Sequence, residues 1–291
     1  MHLTERGSPL EKFSFFDPVD MRAFEPTAKV GLLATVNPGG LPHITLITTL
    51  QAKSPTKMLF GQFTEGLSKH YIRENPKCAF LIMTMDRRLW RGKALYTHCA
   101  KEGEDYEMLN DKPMFRYNSY FGINTVYYMD LVETYGKESL PLGRIIPAAL
   151  ATRIVKPAAR TGSSERILNP WSEKLFNAPV SPKFLSYVGP DGFPVLIPIV
   201  QGLAADSRRI VFSPMAYEAE LRMVPSGATA AVFCMSMQME DILVRGAFRG
   251  FRRHLLVELG VIDIDWVYNS MPPNHGLIYP ARKLEPVRNF Q

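Results

Sequence analysis

Val36-Asn37-Pro38-Gly39-Gly40-Leu41-Pro42 and Val188-Gly189-Pro190-Asp191-Gly192-Phe193-Pro194 are one turn written twice, 152 residues apart. Each sets proline and glycine between two apolar, β-branched runs, which is the signal of a hairpin. Working outward at the same offset, Pro18 falls on Pro170, Phe24 on Phe176, Leu33 on Leu185, Ile47 on Ile199 and Ala52 on Ala204. Phe60 falls on Phe212, and Ala79, Met83 and Met85 fall on Ala231, Met235 and Met237. Thirteen identities accumulate over residues 17–86 without a gap, where coincidence would give about four. After a two-residue slip, Arg91-Gly92 falls on Arg245-Gly246. A period this long is a duplicated domain and not a solenoid.

Each copy opens with a helix signal, Asp17-Pro18 or Asn169-Pro170, a capping residue before a proline at the first helical position. Strands are expected at 30–36 and 184–188, then after the turn at 43–50 and 195–200, then at 57–62 and 209–213. A helix over 65–74 stops at Asn75-Pro76. The apolar run 78–85 reads as a buried strand, followed by strands over 89–98 and 125–133. Strands joined by short turns with one inserted helix describe a small antiparallel barrel. The expected fold is mainly β: two tandem split β-barrels, antiparallel and of Greek-key type, with short peripheral helices, forming an intramolecular pseudo-dimer. The divisions are 1–135 for the first barrel, 136–168 for a linker with a helix at 144–154 and an exposed stretch at 156–165, and 169–291 for a second, degenerate barrel.

The 291 residues suit two domains, and 46% apolar with 21% charged residues is ordinary for a globular protein. The net charge of +6 is spread along the chain, so no basic block points to nucleic acid. An anionic ligand is the sharper reading of that charge. Cys78, Cys99 and Cys234 form no C-x-x-C pair, so neither zinc nor a disulfide framework is indicated. Scattered thiols and the absence of an apolar signal core in the first residues point to a cytoplasmic location. No apolar stretch approaches the ~20 residues of a membrane span.

Dinucleotide, phosphate-loop, esterase and zinc-protease signatures are absent, and the histidines at 2, 43, 70, 98, 254 and 275 show no metal-ligand spacing. One segment stands out, Phe60-Gly61-Gln62-Phe63-Thr64-Glu65-Gly66-Leu67-Ser68-Lys69. A strand leads through a loop into a helix start that carries hydroxyls and a lysine. Helix starts offer free backbone N–H groups and a partial positive charge, which suits a phosphate monoester. A capped surface helix with a solvated lysine would read the same way.

The order of elements resembles the FMN-binding split barrels related to pyridoxamine-phosphate oxidase. It comprises Gly40-Leu41-Pro42 with a Thr-rich strand, Thr64 to Ser68-Lys69, Asn75-Pro76, an apolar strand, and Trp90-Arg91-Gly92. The resemblance covers roughly 17–135 and, more weakly, 169–291. It implies FMN as cofactor, held by Thr45, Leu46, Ile47 and Thr48 on the second strand and by Gly61, Gln62, Phe63 and Thr64 in the loop. It places the phosphate on Ser68 and Lys69, and Trp90 and Arg91 near the flavin or the partner barrel. That family usually has an arginine on the second strand, where this chain has Thr45. The second copy carries Ala216-Tyr217-Glu218-Ala219-Glu220-Leu221 opposite 64–69, and its two acids would repel a phosphate.

The expected function is therefore an FMN-binding flavoprotein, an oxidoreductase passing hydride or electrons through one intact site. Its partner would be a small-molecule substrate or electron donor, with no nucleic acid and no membrane, and a homodimer is compatible with it. No catalytic residue and no metal ligand is assigned. The alternatives are a flavin- or haem-binding sensor of the same fold, with His43 or His275 on the haem, and a pair of barrels serving only as an assembly surface.

Overall fold

The computed structural model describes residues 10–64, 66–113, 115–116, 122–254, 256–269 and 276–280. Glu65 and His275 therefore lie outside the described residues. The first half runs α1 (Pro18–Met21), β1 (Lys29–Val36), β2 (Pro42–Leu46), β3 (Gln51–Ser54), β4 (Lys57–Gln62), α2 (Leu67–Glu74), β5 (Lys77–Thr84), β6 (Arg88–Ala100), α3 (Glu104–Asn110), β7 (Thr125–Thr134) and β8 (Glu138–Ser139). The helix α4 (Leu142–Val155) and a short 3-10 turn (Lys156–Ala159) lead to the second half. That half contains α5 (Pro170–Asn177), β9 (Lys183–Val188), β10 (Pro194–Pro198), β11 (Leu203–Asp206), β12 (Arg209–Phe212), α6 (Glu218–Leu221), β13 (Thr229–Met235), β14 (Asp241–His254), β15 (Val257–Asn269) and β16 (Gly276–Tyr279).

The first sheet is ordered β2-β1-β5-β6-β7-β4-β3 and the second β10-β9-β13-β14-β15-β12-β11. Adding eight to each label of the first gives the second, so the duplication read from the sequence is a duplication of topology. All the pairings are antiparallel. The ends of each path do not pair with one another among the described residues, so each half is an antiparallel barrel left split. No helix among the described residues is long and apolar enough to cross a membrane.

Local chemistry accounts for the repeated elements. The Asp17 carboxylate accepts from the Val19 N–H at 2.7 Å, and the Asn169 side chain accepts from the Ser172 N–H at 2.8 Å, which caps α1 and α5 as their Asx-Pro openings predict. Gly40 and Gly192 sit at φ 75° and 78°, a left-handed turn position that glycine reaches without steric cost. The repeated Arg-Gly pair also has a cause. A Cβ on Gly92 would overlap the Glu133 carbonyl oxygen, and one on Gly246 would overlap that of Asp263. Each glycine admits the close crossing of the following long strand beside a β-bulge.

Three of the core clusters follow from strand alternation. Leu33, Phe80, Ile82 and Trp90 fill the first barrel, and Leu185, Val232, Val244 and Phe248 fill the second. Between them lies a third cluster, in which Leu32, Ala34, Ile44, Leu81 and Met83 meet Phe184, Ala231, Phe233 and Leu243. The runs at 78–83 and 230–235 are apolar throughout because one face lines a barrel and the other meets the opposite half. Lys93 Nζ bonds Asp191 Oδ2 across the halves at 2.6 Å, and Lys77 Nζ donates to the Asp191 carbonyl at 2.6 Å. Phe233 has no exposed surface, so Phe233→Ala is expected to cost about 3–5 kcal/mol. Urea unfolding measures this, and a loss under about 1 kcal/mol would mean that the halves do not depend on this cluster.

The structure amends several boundaries. The second strand ends at Leu46 and not at residue 50, because the Ile47 N–H turns to the Gly31 carbonyl (2.7 Å) and the chain bends at 47–49. The strand β3 and the helix α3 were not read from the sequence at all. The helix expected over 65–74 is α2 from Leu67, with Gly66 as its uncapped N-terminal flank. The linker is divided between the halves. Its opening residues 138–139 pair with β6 of the first sheet, whereas Thr152 of α4 accepts from the Ser213 N–H at 3.0 Å in the second.

Candidate functional site

The two copies place equivalent side chains at two pseudo-equivalent positions on the boundary between halves, and the chemistry there is opposite. At one position stands Arg91 of β6, with almost no exposed surface. Its Nη1 donates to Glu220 Oε2 at 2.5 Å and to the Leu196 carbonyl at 3.0 Å, and its Nη2 donates to Glu220 Oε1 at 2.8 Å. Glu138 on β8 takes the other edge, from Nε at 2.9 Å and Nη2 at 2.8 Å. The guanidinium also lies over the Tyr217 ring, 5.1 Å from its centre. Burial alone would lower the proton affinity of Arg91, but the carboxylates of Glu220 and Glu138 hold it well above the usual arginine value. This position is saturated: both edges of the fork are bidentate on carboxylates.

The counterpart of Arg91 is Arg245 on β14. It is buried, and its Nε and Nη1 have no hydrogen-bond partner. Its guanidinium lies 3.8 Å from the centre of the Trp266 ring on β15, and Trp266 stacks on Tyr268 at 5.4 Å. Burial lowers the proton affinity of Arg245, and Tyr71 and Asp265 offset part of that. At the 152-residue offset of the repeat, the counterpart of Glu220 is Ser68. Ser68 has no exposed surface, and its Oγ is unpaired.

The same neighbourhood holds His43 of β2 and Lys69 of α2. The imidazole of His43 meets Tyr71 at 5.4 Å, Tyr268 at 5.4 Å and Trp266 at 6.3 Å, each ring edge-on. Burial, with the charges of Arg245 and Lys69 added, pushes His43 down to about 3, so it is neutral at any physiological pH. Its Nδ1 is buried without a partner. Burial likewise pushes the half-buried Lys69 ammonium down to about 8. Arg245 and Lys69 thus both bear on His43, Ser68 precedes Lys69 in the chain, and no carboxylate among the described residues is bonded to any of the four. Buried charge that is only partly compensated is costly, and an anion would complete the compensation.

The residues that the sequence singled out divide between this cluster and the packing. Ser68 and Lys69 are in the cluster. Thr45 shares a strand face with His43 by alternation and is buried. Leu46 packs on the apolar cluster between the halves. Thr48 is half-buried in the turn after β2, and Thr64 is half-buried before α2. Others serve the scaffold. Ile47 and Trp90 lie in the core of the first barrel, Trp90 edge-on to Phe24 at 5.1 Å. Trp90 therefore approaches neither a groove nor the second half, contrary to the expectation. Gly61 exchanges two hydrogen bonds with the Thr49 hydroxyl, at 2.9 and 3.0 Å. Gln62 Oε1 accepts from the Tyr127 hydroxyl at 2.7 Å, and Phe63 packs on the cluster of Phe115 and Ile123. Arg91 does reach the second half, but it is spent on Glu220 and Glu138.

In the sequence, Arg245 is marked as the copy of Arg91 and, with it, as the next phosphate candidate after Lys69, and nothing marks Tyr71, Trp266 or Tyr268. The repeated Arg-Gly pair was the one available signal for Arg245, since which half faces which is not a local property.

No protein-family model matches the chain, and no curated protein does. Among solved structures the chain is similar to HupZ of Group A Streptococcus, with 16% identity and a TM-score of 0.35, over 41% of this chain and 92% of that one. It is also similar to an FMN-binding protein from Syntrophomonas wolfei, with 15% identity and a TM-score of 0.32, over 40% and 87%. A NimC/NimA family protein from Clostridium acetobutylicum matches with 15% identity and a TM-score of 0.30, over 41% and 85%. Each neighbour spans about the share of this chain that one half occupies.

Proposed function

We propose that the boundary between the halves binds one FMN per chain, with the phosphate held by Ser68, Lys69 and Arg245, and that the protein is an FMN-dependent oxidoreductase. The observation that carries this reading is that Arg245 has two orphaned donors and Ser68 an orphaned hydroxyl, at the positions that the repeat relates to Arg91 and Glu220. A phosphate dianion would satisfy both and would restore the charge of Lys69. The partly exposed Trp266, with Thr45 across the boundary, supplies apolar and hydroxyl surface for the remainder of a nucleotide-like ligand. Bound FMN would supply hydride or electron transfer.

The chain would contribute binding and orientation. His43 is held neutral, and burial raises Tyr71 above the ordinary tyrosine value, so neither is set up to exchange a proton at neutral pH. Chemistry that needs only positioned hydride or electron transfer fits this better than acid–base catalysis. A haem on His43 finds no support, because three aromatic rings wall in its imidazole.

The purified protein is expected to show flavin absorption bands and to release FMN, and not FAD, on denaturation. A colourless protein that takes up no added FMN would refute the reading.

A further inference from the structure

The helix α4 carries two apolar stripes where a surface helix needs one. Ile145, Ala148, Thr152 and Val155 are buried on the second half. Ile146, Leu150 and Ile154 are 64%, 59% and 64% exposed. Spaced at i, i+4 and i+8, these three occupy an arc of about 80° on the side away from the buried four. Pro147, also exposed, widens that arc. A surface helix ordinarily turns charged and polar residues to solvent there.

The flanks of the exposed stripe are cationic. Arg153 borders it on one side and Arg144 on the other, and the exposed Arg160 follows, whereas Lys156 turns inward to Asn177 at 2.9 Å; no Asp or Glu occurs between Glu138 and Glu165. Burial lowers the proton affinity of Lys156, and Arg160 and Arg153 lower it further against a partial offset from Glu173. The cations therefore crowd one another.

We propose that α4 seats the protein on an anionic lipid surface, with Ile146, Leu150 and Ile154 entering the interfacial layer and Arg144, Arg153 and Arg160 meeting the headgroups. A convex apolar ridge with positive charge on both margins is the pattern of a helix lying in a membrane interface. At 14 residues α4 falls short of the ~20 needed to span, so the contact is peripheral and revises the expectation of no membrane partner. A second copy is the poorer occupant, because pairing two such stripes would oppose like charges with no carboxylate between them. The proposal is independent of the flavin site.

Sedimentation of the full chain with vesicles tests it, using phosphatidylcholine alone and phosphatidylcholine with about 30% phosphatidylserine. Binding is expected only to the anionic vesicles and is expected to weaken as salt is raised. The double variant Ile146→Ser, Leu150→Ser should bind about tenfold more weakly or worse, and Arg144→Glu with Arg153→Glu should abolish sedimentation. All four positions are exposed, and an unchanged unfolding midpoint confirms that the variants fold. Equal binding to both vesicle types, or no loss in either variant, overturns the proposal. Self-association that the serine variant abolishes, without vesicle binding, assigns the stripe to a second copy and also overturns it.

Discussion

Lys69→Ala should lower the affinity for FMN about 10- to 150-fold, because a charge-assisted hydrogen bond to phosphate contributes about 1.5–3 kcal/mol. Arg245→Ala should cost at least as much, since two of its donors have no other partner. The two losses should fall short of additive, because both side chains serve one anion. Lys69 also fixes the pH dependence. In the ligand-free protein its ammonium titrates at about 8, so it is charged below that pH and neutral above. A bound dianion favours the charged form and raises that pKa. Affinity should therefore hold near pH 7 and fall above pH 8, by at most about tenfold per pH unit, with proton uptake on binding. Lys69→Ala should flatten that fall. Titration of FMN into each ligand-free variant at fixed salt measures all of this. An unchanged affinity in both variants would mean that the phosphate lies elsewhere, and two flavins per chain would mean that the second position also binds.

Arg91→Ala should destabilise the fold by about 3–5 kcal/mol while leaving FMN binding nearly intact. Removing one member of a buried, hydrogen-bonded ion group leaves the rest uncompensated, here the carboxylates of Glu138 and Glu220 facing one another. Both keep some exposure, with side chains 19% and 17% accessible, so the lower end of that range is the better expectation. Arg245→Ala should behave in the opposite way. The guanidinium it removes has no paired carboxylate in the ligand-free protein, so the unfolding midpoint of that form should stay put or rise. Denaturant titration of the two variants, without and with FMN, gives four midpoints. Similar destabilisation of both ligand-free variants would contradict the assignment of one arginine to the scaffold and the other to a ligand.

The sequence carried the fold further than the site, and the reason is range. Asx-Pro caps, Pro-Gly turns and the proline that ends α2 act within a few residues, so they were legible at Asp17, Asn37–Gly40 and Asn75-Pro76. The overshoot of the second strand came from Thr48 and Thr49. Their β-branching suggests a strand, but the Thr49 hydroxyl in fact ties a turn to Gly61. The helix α3 follows Gly103 and opens with Glu104 and Asp105, an acidic stretch whose polarity masked its periodicity. At the candidate site, the place of Ser68 and Lys69 at a helix start was legible because a helix start announces itself. Trp90 and Arg91 were read together because they are neighbours, yet adjacent strand residues face opposite ways. One entered the barrel core and the other crossed to the second half. The contribution of Arg245 depends on how two barrels face each other, which no window of sequence contains.

The third apolar cluster joins two units that share one chain, and that alters the law by which they associate. Two separate chains meeting through the same face would come apart on dilution, with a melting temperature that tracks protein concentration. Here residues 140–168 keep the halves in permanent mutual range, so their encounter is unimolecular and their effective concentration is set by a tether and not by expression level. The boundary that gathers Lys69 and Arg245 should thus assemble as completely in a trace amount of protein as in a concentrated stock.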